Sequence, residues 1–288
     1  MRYDTPYPKP EVQAWNRTRL RLHAPAWGKP LWRRRQPESD TIAPLAGSPE
    51  FLLRHVRFSA PTTTILLLTD LHWNGQQEGR YSLLAESLRQ LHYDWLFFGG
   101  DLAAFPDRVE GALTWLSTLH PDKGTYAVLG NRESHLSWLD YDFWHRTFLA
   151  HGVHCLINES VTIQDNLLLM GVDDFRFGHS DWNPLSAARK PGQTVLSLCH
   201  NPDSAASCSV SQDIGDLVLC GHTHNGQICI PGYGPLYTSS RYGRQFLHGW
   251  QERSDGTLLL TVSGIGESGF GLFRHRLFCP PEFLLLEI

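Results

Sequence analysis

Five short stretches of this sequence carry residue types that can do chemistry: Asp70-Leu71-His72, Gly100-Asp101, Gly130-Asn131-Arg132-Glu133, His200, and Gly221-His222-Thr223-His224. Imidazole nitrogens mixed with carboxylate and amide oxygens form coordination shells that suit Mn, Fe or Zn better than Ca or Mg. The chain has fifteen histidines, more than a packed core has use for, and imidazole is the commonest transition-metal ligand. Each piece alone is weak, because Asp-x-His arises by chance and an Asp after an apolar run is often a helix cap. Two His spaced two residues apart on an extended backbone can face one cavity, which makes the last piece the strongest. All five together, each closing an apolar run, point to a metal site. The six cysteines form no C-x-x-C pair and several sit inside apolar runs, so they read as small buried thiols rather than a zinc finger or disulfide scaffold.

Those residues must be positioned by elements. Apolar runs of strand length end just before them: 65–70, 94–100, 125–130, 166–172, 194–200 and 216–222. Too short for helices and too uniformly apolar for surface strands, they fit strands covered on both faces. Tyr81, Leu84, Leu88 and Leu91, and then Val109, Ala112, Leu113 and Leu116, recur at helical spacing and predict crossover helices. The alternation implies a layered α/β or α+β domain. Neighbouring strands lie about 4.8 Å apart, so loops leaving their carboxyl ends can bring all seven side chains, Asp70, His72, Asp101, Asn131, His200, His222 and His224, into one volume. Residues 1–58, rich in Pro, Arg and Trp, read as an irregular arm preceding a domain over 59–288. The last sixty or so residues are expected to form a second, largely antiparallel sheet edge or layer.

At 288 residues with 41% hydrophobic and 19% charged residues, the chain can bury a sizeable core, which disfavours disorder and coiled coil. A net charge of −4 provides no overall basic field, so no nucleic-acid partner is expected. No run is long and apolar enough to span a membrane, and the start lacks the apolar core of a secretory signal. A cytoplasmic protein is expected.

The five stretches, in this order, resemble the motif string of the calcineurin-like metallophosphoesterases: D-x-H, G-D, G-N-H-[DE], H and G-H-x-H. The resemblance covers roughly residues 62–288. It implies an α/β (α+β) fold, a four-layered sandwich of two mixed β-sheets flanked by helices, and a hydrolase with two divalent metal ions, Mn foremost and Fe or Zn as alternatives. By the family's pattern one ion takes Asp70, His72, Asp101 and His224, and the other takes Asp101, Asn131, His200 and His222, with Asp101 bridging. The segments around 221–231, 263–275 and 280–288 are similar to the branch with UDP-2,3-diacylglucosamine diphosphatases and bacterial membrane-associated phosphodiesterases.

The sequence departs from the family at Arg132, which stands where most members have the His thought to protonate the leaving oxygen. Arginine stabilises negative charge but releases no proton at ordinary pH. The leaving group must then depart unaided, which penalises an alkoxide and spares a phosphate monoester, whose second pKa is about 6. Arg132 therefore favours a pyrophosphate, and G-N-R-D is the form associated with the diphosphatases, which release UMP and 2,3-diacylglucosamine 1-phosphate. A broad-specificity phosphodiesterase or phosphatase is the alternative. A non-catalytic scaffold would be expected to have eroded ligands, and all seven positions are filled.

Around the motifs, Trp138, with Leu139, Tyr141, Phe143, Trp144, Phe148 and Leu149, forms either a lid for acyl chains or a helix packed on the sheet. Arg241 and Arg244 are candidate substrate contacts, with Gly226, Gln227, Tyr242 and Arg274 in the same loops. The arm, with Trp27, Trp32 and Arg33 to Arg35, is a candidate contact with a membrane surface. The expected partner is a nucleotide lipid or another phosphoester.

Overall fold

The structure, a computed structural model, describes residues 36–136, 138–269 and 275–288. Two mixed sheets stack face to face. The first has seven strands in the order β1-β2-β15-β3-β4-β5-β6: β1 Ser39–Leu45, β2 Ser48–Arg57, β15 Glu282–Glu287, β3 Thr64–Leu68, β4 Trp95–Phe98, β5 Gly124–Ala127 and β6 Val153–Cys155. The second has six strands in the order β13-β14-β10-β9-β8-β7: β13 Gly249–Glu252, β14 Leu258–Thr261, β10 Leu217–Cys220, β9 Thr194–Cys199, β8 Leu167–Val172 and β7 Glu159–Gln164. A small hairpin, β11 Cys229–Ile230 with β12 Gly234–Pro235, stands apart from both.

Period-2 alternation within uniformly apolar strands builds the layers. Ile65 and Leu67 of β3 point between the sheets with Phe97, Leu169, Leu196, Leu219, Leu260 and Leu284. Leu66 and Leu68 point the other way, onto helices α1 Glu78–Leu88, α2 Val109–Ser117 and α4 Tyr141–Leu149, through Leu84, Leu113 and Trp144. On the outer face of the second sheet, Met170, Val195 and Val218 pack with Trp182 and with Ala205 and Ala206 of α6 Pro202–Ser207, beside α5 Asn183–Ala188. The result is helices, sheet, sheet, helices: the four-layered sandwich. All six apolar runs are strands, and both helical patterns are helices, the first ending at Leu88 rather than Leu91.

Two expectations are corrected. Residues 39–57 are not an irregular arm, because β1 and β2 form an antiparallel hairpin whose second strand pairs in parallel with β15. The hairpin is fastened by Arg54, buried, which donates from Nε and Nη2 to the Asp40 carboxylate at 2.9 and 2.5 Å. Residues 1–35 lie outside the described residues, with the tryptophan and arginine cluster of the proposed membrane arm. The C-terminal region, secondly, is not one antiparallel layer. β14 is parallel to β10 and antiparallel to β13, whereas β15 enters the first sheet, antiparallel to β3. The apolar run of β15, with Phe283, Leu284 and Leu286 fully buried, is accounted for by its central place between β2 and β3.

Candidate metal centre

All seven sequence-predicted ligands sit just past the carboxyl ends of strands, and both sheets contribute. Asp70 and His72 follow β3, Asp101 follows β4, and Asn131 opens a one-turn helix, α3 Asn131–Ser134, after β5. His200 follows β9, and His222 and His224 follow β10. The chain turns so sharply here that Asp70, His72, Asp101, His222 and His224 adopt φ of 55, 46, 56, 69 and 51°, the left-handed region that costs a side-chain-bearing residue about 1–3 kcal/mol. Close approach also demands glycine: a Cβ on Gly130 would lie 2.2 Å from the Asp101 amide nitrogen.

The side chains converge. His72 Nε2 lies 3.0 Å from His224 Nε2 and 3.4 Å from Asp101 Oδ2, and His224 Nε2 lies 3.5 Å from Asp70 Oδ1. On the other side, His200 Nε2 lies 3.5 Å from Asp101 Oδ1, 3.3 Å from Asn131 Oδ1 and 3.2 Å from His222 Nδ1. Asp101 thus presents one oxygen to each group of histidines. Asp70, His72 and His224, and again Asp70, Asp101 and His200, offer ligand atoms within 4.8 Å of one another, all buried.

The surroundings choose which nitrogen faces inward. His200 Nδ1 donates to the Gly99 carbonyl at 2.7 Å, leaving Nε2 for the centre, and His222 Nε2 donates to the Ser239 carbonyl at 3.2 Å, leaving Nδ1. Such outer hydrogen bonds set the tautomer of metal-binding histidines. Asp70 is steadied by the His222 amide at 2.9 Å and the Thr69 hydroxyl at 2.9 Å.

Electrostatically the site is short of positive charge. Burial raises Asp70, and burial together with Asp70 lifts Asp101 to about 6 against the opposing pull of His200. His72 and His224 are held well below the usual imidazole value by burial, reinforced by Arg132 at the former and by His72 and Arg276 at the latter. Burial also opposes charge on His200, but Asp101, Asp70 and Asp174 outweigh it and lift the ring to about 9. Imidazole nitrogens 3.0 Å apart beside buried carboxylates are a donor set that a divalent cation satisfies. The residues present fit two such ions.

Arg132 is half-buried in α3, donates its backbone N–H to Asp101 Oδ1 at 2.8 Å, and brings its charge to bear on His72 and Asp101. Its neighbour Glu133 is no ion-pair partner for it. The Glu133 carboxylate instead accepts the backbone N–H groups of Asp101, Leu102 and Gly130 at 3.0, 2.8 and 2.8 Å, pinning the β4 and β5 loops together. Of the candidate substrate contacts, Arg132 meets the seven through Asp101. Trp138 is 70% exposed between α3 and α4, and α4 packs on the first sheet through Trp144 and Phe148. Arg241 lies over the Phe175 ring at 4.8 Å and Arg244 over Tyr233 at 5.2 Å. Gln227 is engaged with Ser268, Tyr242 packs against the outer core of the second sheet, and Arg274 lies outside the described residues.

Sequence reasoning missed two residues that brace the centre. Glu133 had a signal, the acidic position of its motif. Arg276 had none: it donates to the carbonyls of Gly266, Ser263 and Gly264 at 2.9, 2.6 and 3.0 Å, and to His224 Nδ1 at 3.1 Å.

Residues 63–226 match the family described as calcineurin-like phosphoesterase. The chain belongs to this family. Among curated relatives, it is 29% identical over 251 residues to phosphodiesterase YaeI of Escherichia coli, covering 82% of this chain and 87% of that protein. It is 30% identical over 238 residues to an uncharacterized metallophosphoesterase of Helicobacter pylori, covering 78% of this chain but 59% of the relative. Among solved structures, phosphopantetheinyl hydrolase of Mycobacterium tuberculosis aligns with a TM-score of 0.41 at 14% identity, over 70% of this chain and 89% of that one. As a calcineurin-like phosphoesterase with candidate metal-ligand groups buried at its strand ends, the protein is a metal-dependent phosphoester hydrolase.

Proposed function

We propose that this phosphoesterase cleaves the pyrophosphate of UDP-2,3-diacylglucosamine to UMP and 2,3-diacylglucosamine 1-phosphate, the reaction of lipid A synthesis, at the cytoplasmic face of a membrane. The observation that carries the reading is Arg132, whose backbone N–H donates to Asp101 and whose charge bears on His72 and Asp101, where a proton-donating His is usual in the family. Asp70, His72, Asp101 and His224 would hold one divalent ion and Asp101, Asn131, His200 and His222 the other, with Mn as the first choice for this mixed nitrogen and oxygen set. When bound, the ions supply charge to the phosphoryl oxygens and lower the pKa of water toward neutrality.

The chain's own residues do the rest. Arg132, anchored through its backbone to Asp101, offers a fork of N–H donors to the departing phosphate and carries no proton to give it. A monoester leaving group needs none. The strand-end loops hold the ligands before substrate arrives, so that little reorganisation is left for the reaction itself.

A second reading is a broad-specificity phosphodiesterase, favoured by the similarity to a protein named phosphodiesterase. Turnover of Mn-supplemented protein on UDP-2,3-diacylglucosamine and on bis(p-nitrophenyl) phosphate separates the two, with Asp101→Ala as blank. Preference for the nucleotide lipid, lost in the variant, is expected. Activity on the aryl diester alone sinks the lipid assignment.

A further inference from the structure

Beside the metal centre lies a surface that the proposed chemistry does not use. Ile230, Tyr233, Leu236, Tyr237, Leu277 and Phe278 are each exposed, from 44% at Ile230 to 69% at Phe278. They come from two segments sewn together by backbone hydrogen bonds. Cys229 N–H donates to the Leu277 carbonyl at 2.9 Å and Leu277 N–H to that of Gln227 at 3.0 Å, while Leu236 N–H closes the β11-β12 hairpin on the Ile228 carbonyl at 3.0 Å. An exposed apolar group of this size, on adjoining loops, marks a contact surface rather than scattered surface leucines.

Its position follows from what its neighbours hold. Two residues beyond Tyr237, the Ser239 carbonyl accepts from His222, and immediately before Leu277, Arg276 reaches His224. Gly226, two residues past His224, packs so closely under the hairpin that a Cβ there would lie 2.3 Å from Pro235. The apolar surface is therefore the rim of the catalytic centre on its His222 and His224 side.

Charge narrows the partner. Although the whole chain is net negative, no Asp or Glu occurs from Leu217 to Gln251, and the exposed charges there are Arg241 and Arg244. Arg244 lies over the Tyr233 ring. Tyrosines at the edge of an apolar group, with arginines in a segment that carries no acidic residue, match a headgroup layer: aliphatic and phenyl groups enter the acyl boundary, phenol hydroxyls stay wet, and guanidiniums meet lipid phosphates. A protein partner would be as well served by mixed charge.

From this we infer that the rim formed by residues 228–237 and 277–278 docks on an anionic lipid bilayer, seating the metal centre at the depth where the phosphate groups of an amphiphilic substrate lie. The inference rests on the lipid-substrate reading for its purpose, but its test needs no turnover. Full-length protein is sedimented with vesicles of phosphatidylcholine alone and of phosphatidylcholine mixed with phosphatidylglycerol, beside a Tyr233→Ser, Phe278→Ser double variant. Wild type is expected to bind the mixed vesicles, less so with added salt, and the variant to bind about tenfold more weakly or worse, the scale set by losing two interfacial aromatic side chains. An unchanged circular dichroism spectrum and melting temperature of the variant show that it is folded. Three outcomes overturn the inference: no binding by wild type, equal binding by the variant (the contact then lies elsewhere, such as in residues 1–35), or self-association of wild type that the variant abolishes, which makes the rim an interface between copies. Vesicle binding without hydrolysis of the nucleotide lipid leaves the docking surface standing and removes the substrate.

Discussion

At the scale of single residues, Arg132 and Glu133 are neighbours with opposite tasks. Arg132 brings its charge to bear on His72 and Asp101, whereas Glu133 turns back into the protein to accept three backbone N–H groups. If Arg132 assists by charge and not by proton transfer, Arg132→His should improve turnover of diesters with basic alkoxide leaving groups relative to pyrophosphates, by about tenfold or more in the ratio of kcat/KM, within the range general acids contribute. A ratio that does not move would remove the leaving-group argument. Glu133→Gln makes a different prediction. One acceptor oxygen becomes an amide NH2 facing a backbone N–H, so at least one buried donor loses its partner, at a cost of about 1–3 kcal/mol. A lower melting temperature and weaker metal retention, read by calorimetry and elemental analysis after dialysis, are expected together. The convergence of the seven proposed ligands was legible in sequence because each is a polar residue following an apolar run. Arg276 was not, since nothing local to it shows that the chain returns to His224.

At the scale of elements, legibility followed burial. Strands covered on both faces, such as β3 with Ile65 to Leu68 all buried, spell themselves as uninterrupted apolar runs. The β1-β2 hairpin does not: β1 is exposed from Ser39 to Pro44, and the pairing of β2 with β15 spans nearly the whole chain. What fastens this hairpin is polar, and that makes it sensitive to acid. Burial alone would raise the pKa of Asp40, but hydrogen bonds from Arg54 and Trp250 outweigh it and hold the carboxyl below its usual 3.8. A carboxyl depressed in the folded state contributes stability that is present in full above the unfolded pKa and is lost as pH falls through the lower, folded value. Asp40→Asn should therefore destabilise the protein by about 1–2 kcal/mol at neutral pH, a discounted figure for a partly exposed charged pair. The difference from wild type should shrink below pH 3.8. Denaturant unfolding across that range checks both the size and the sign.

At the scale of the whole molecule, the candidate metal centre is a clasp between the two sheets: β3, β4 and β5 of one and β9 and β10 of the other send their ends into it. Below it the sheets are held by an apolar core that needs no metal. At the clasp itself, five of the proposed ligands occupy strained backbone conformations and two acids share buried space, so the protein alone has reason to relax there. Ions that bind the folded chain and not the unfolded one stabilise it by mass action, about 2.7 kcal/mol at a hundredfold excess over Kd. Chelation should therefore lower the melting temperature by several degrees without abolishing the fold, and added Mn should restore it in proportion to the logarithm of its concentration. Hydrogen exchange should report where the stability went, with faster exchange in the loops after these five strands and little change in the strands between the sheets. Asp101→Ala, which removes the residue with an oxygen toward each histidine group, should melt near the chelated protein and respond weakly to Mn. A melting temperature indifferent to chelator would mean that the core alone holds the sheets together, and that the ligand loops are set by the backbone bonds of Glu133 and Arg276 rather than by the ions.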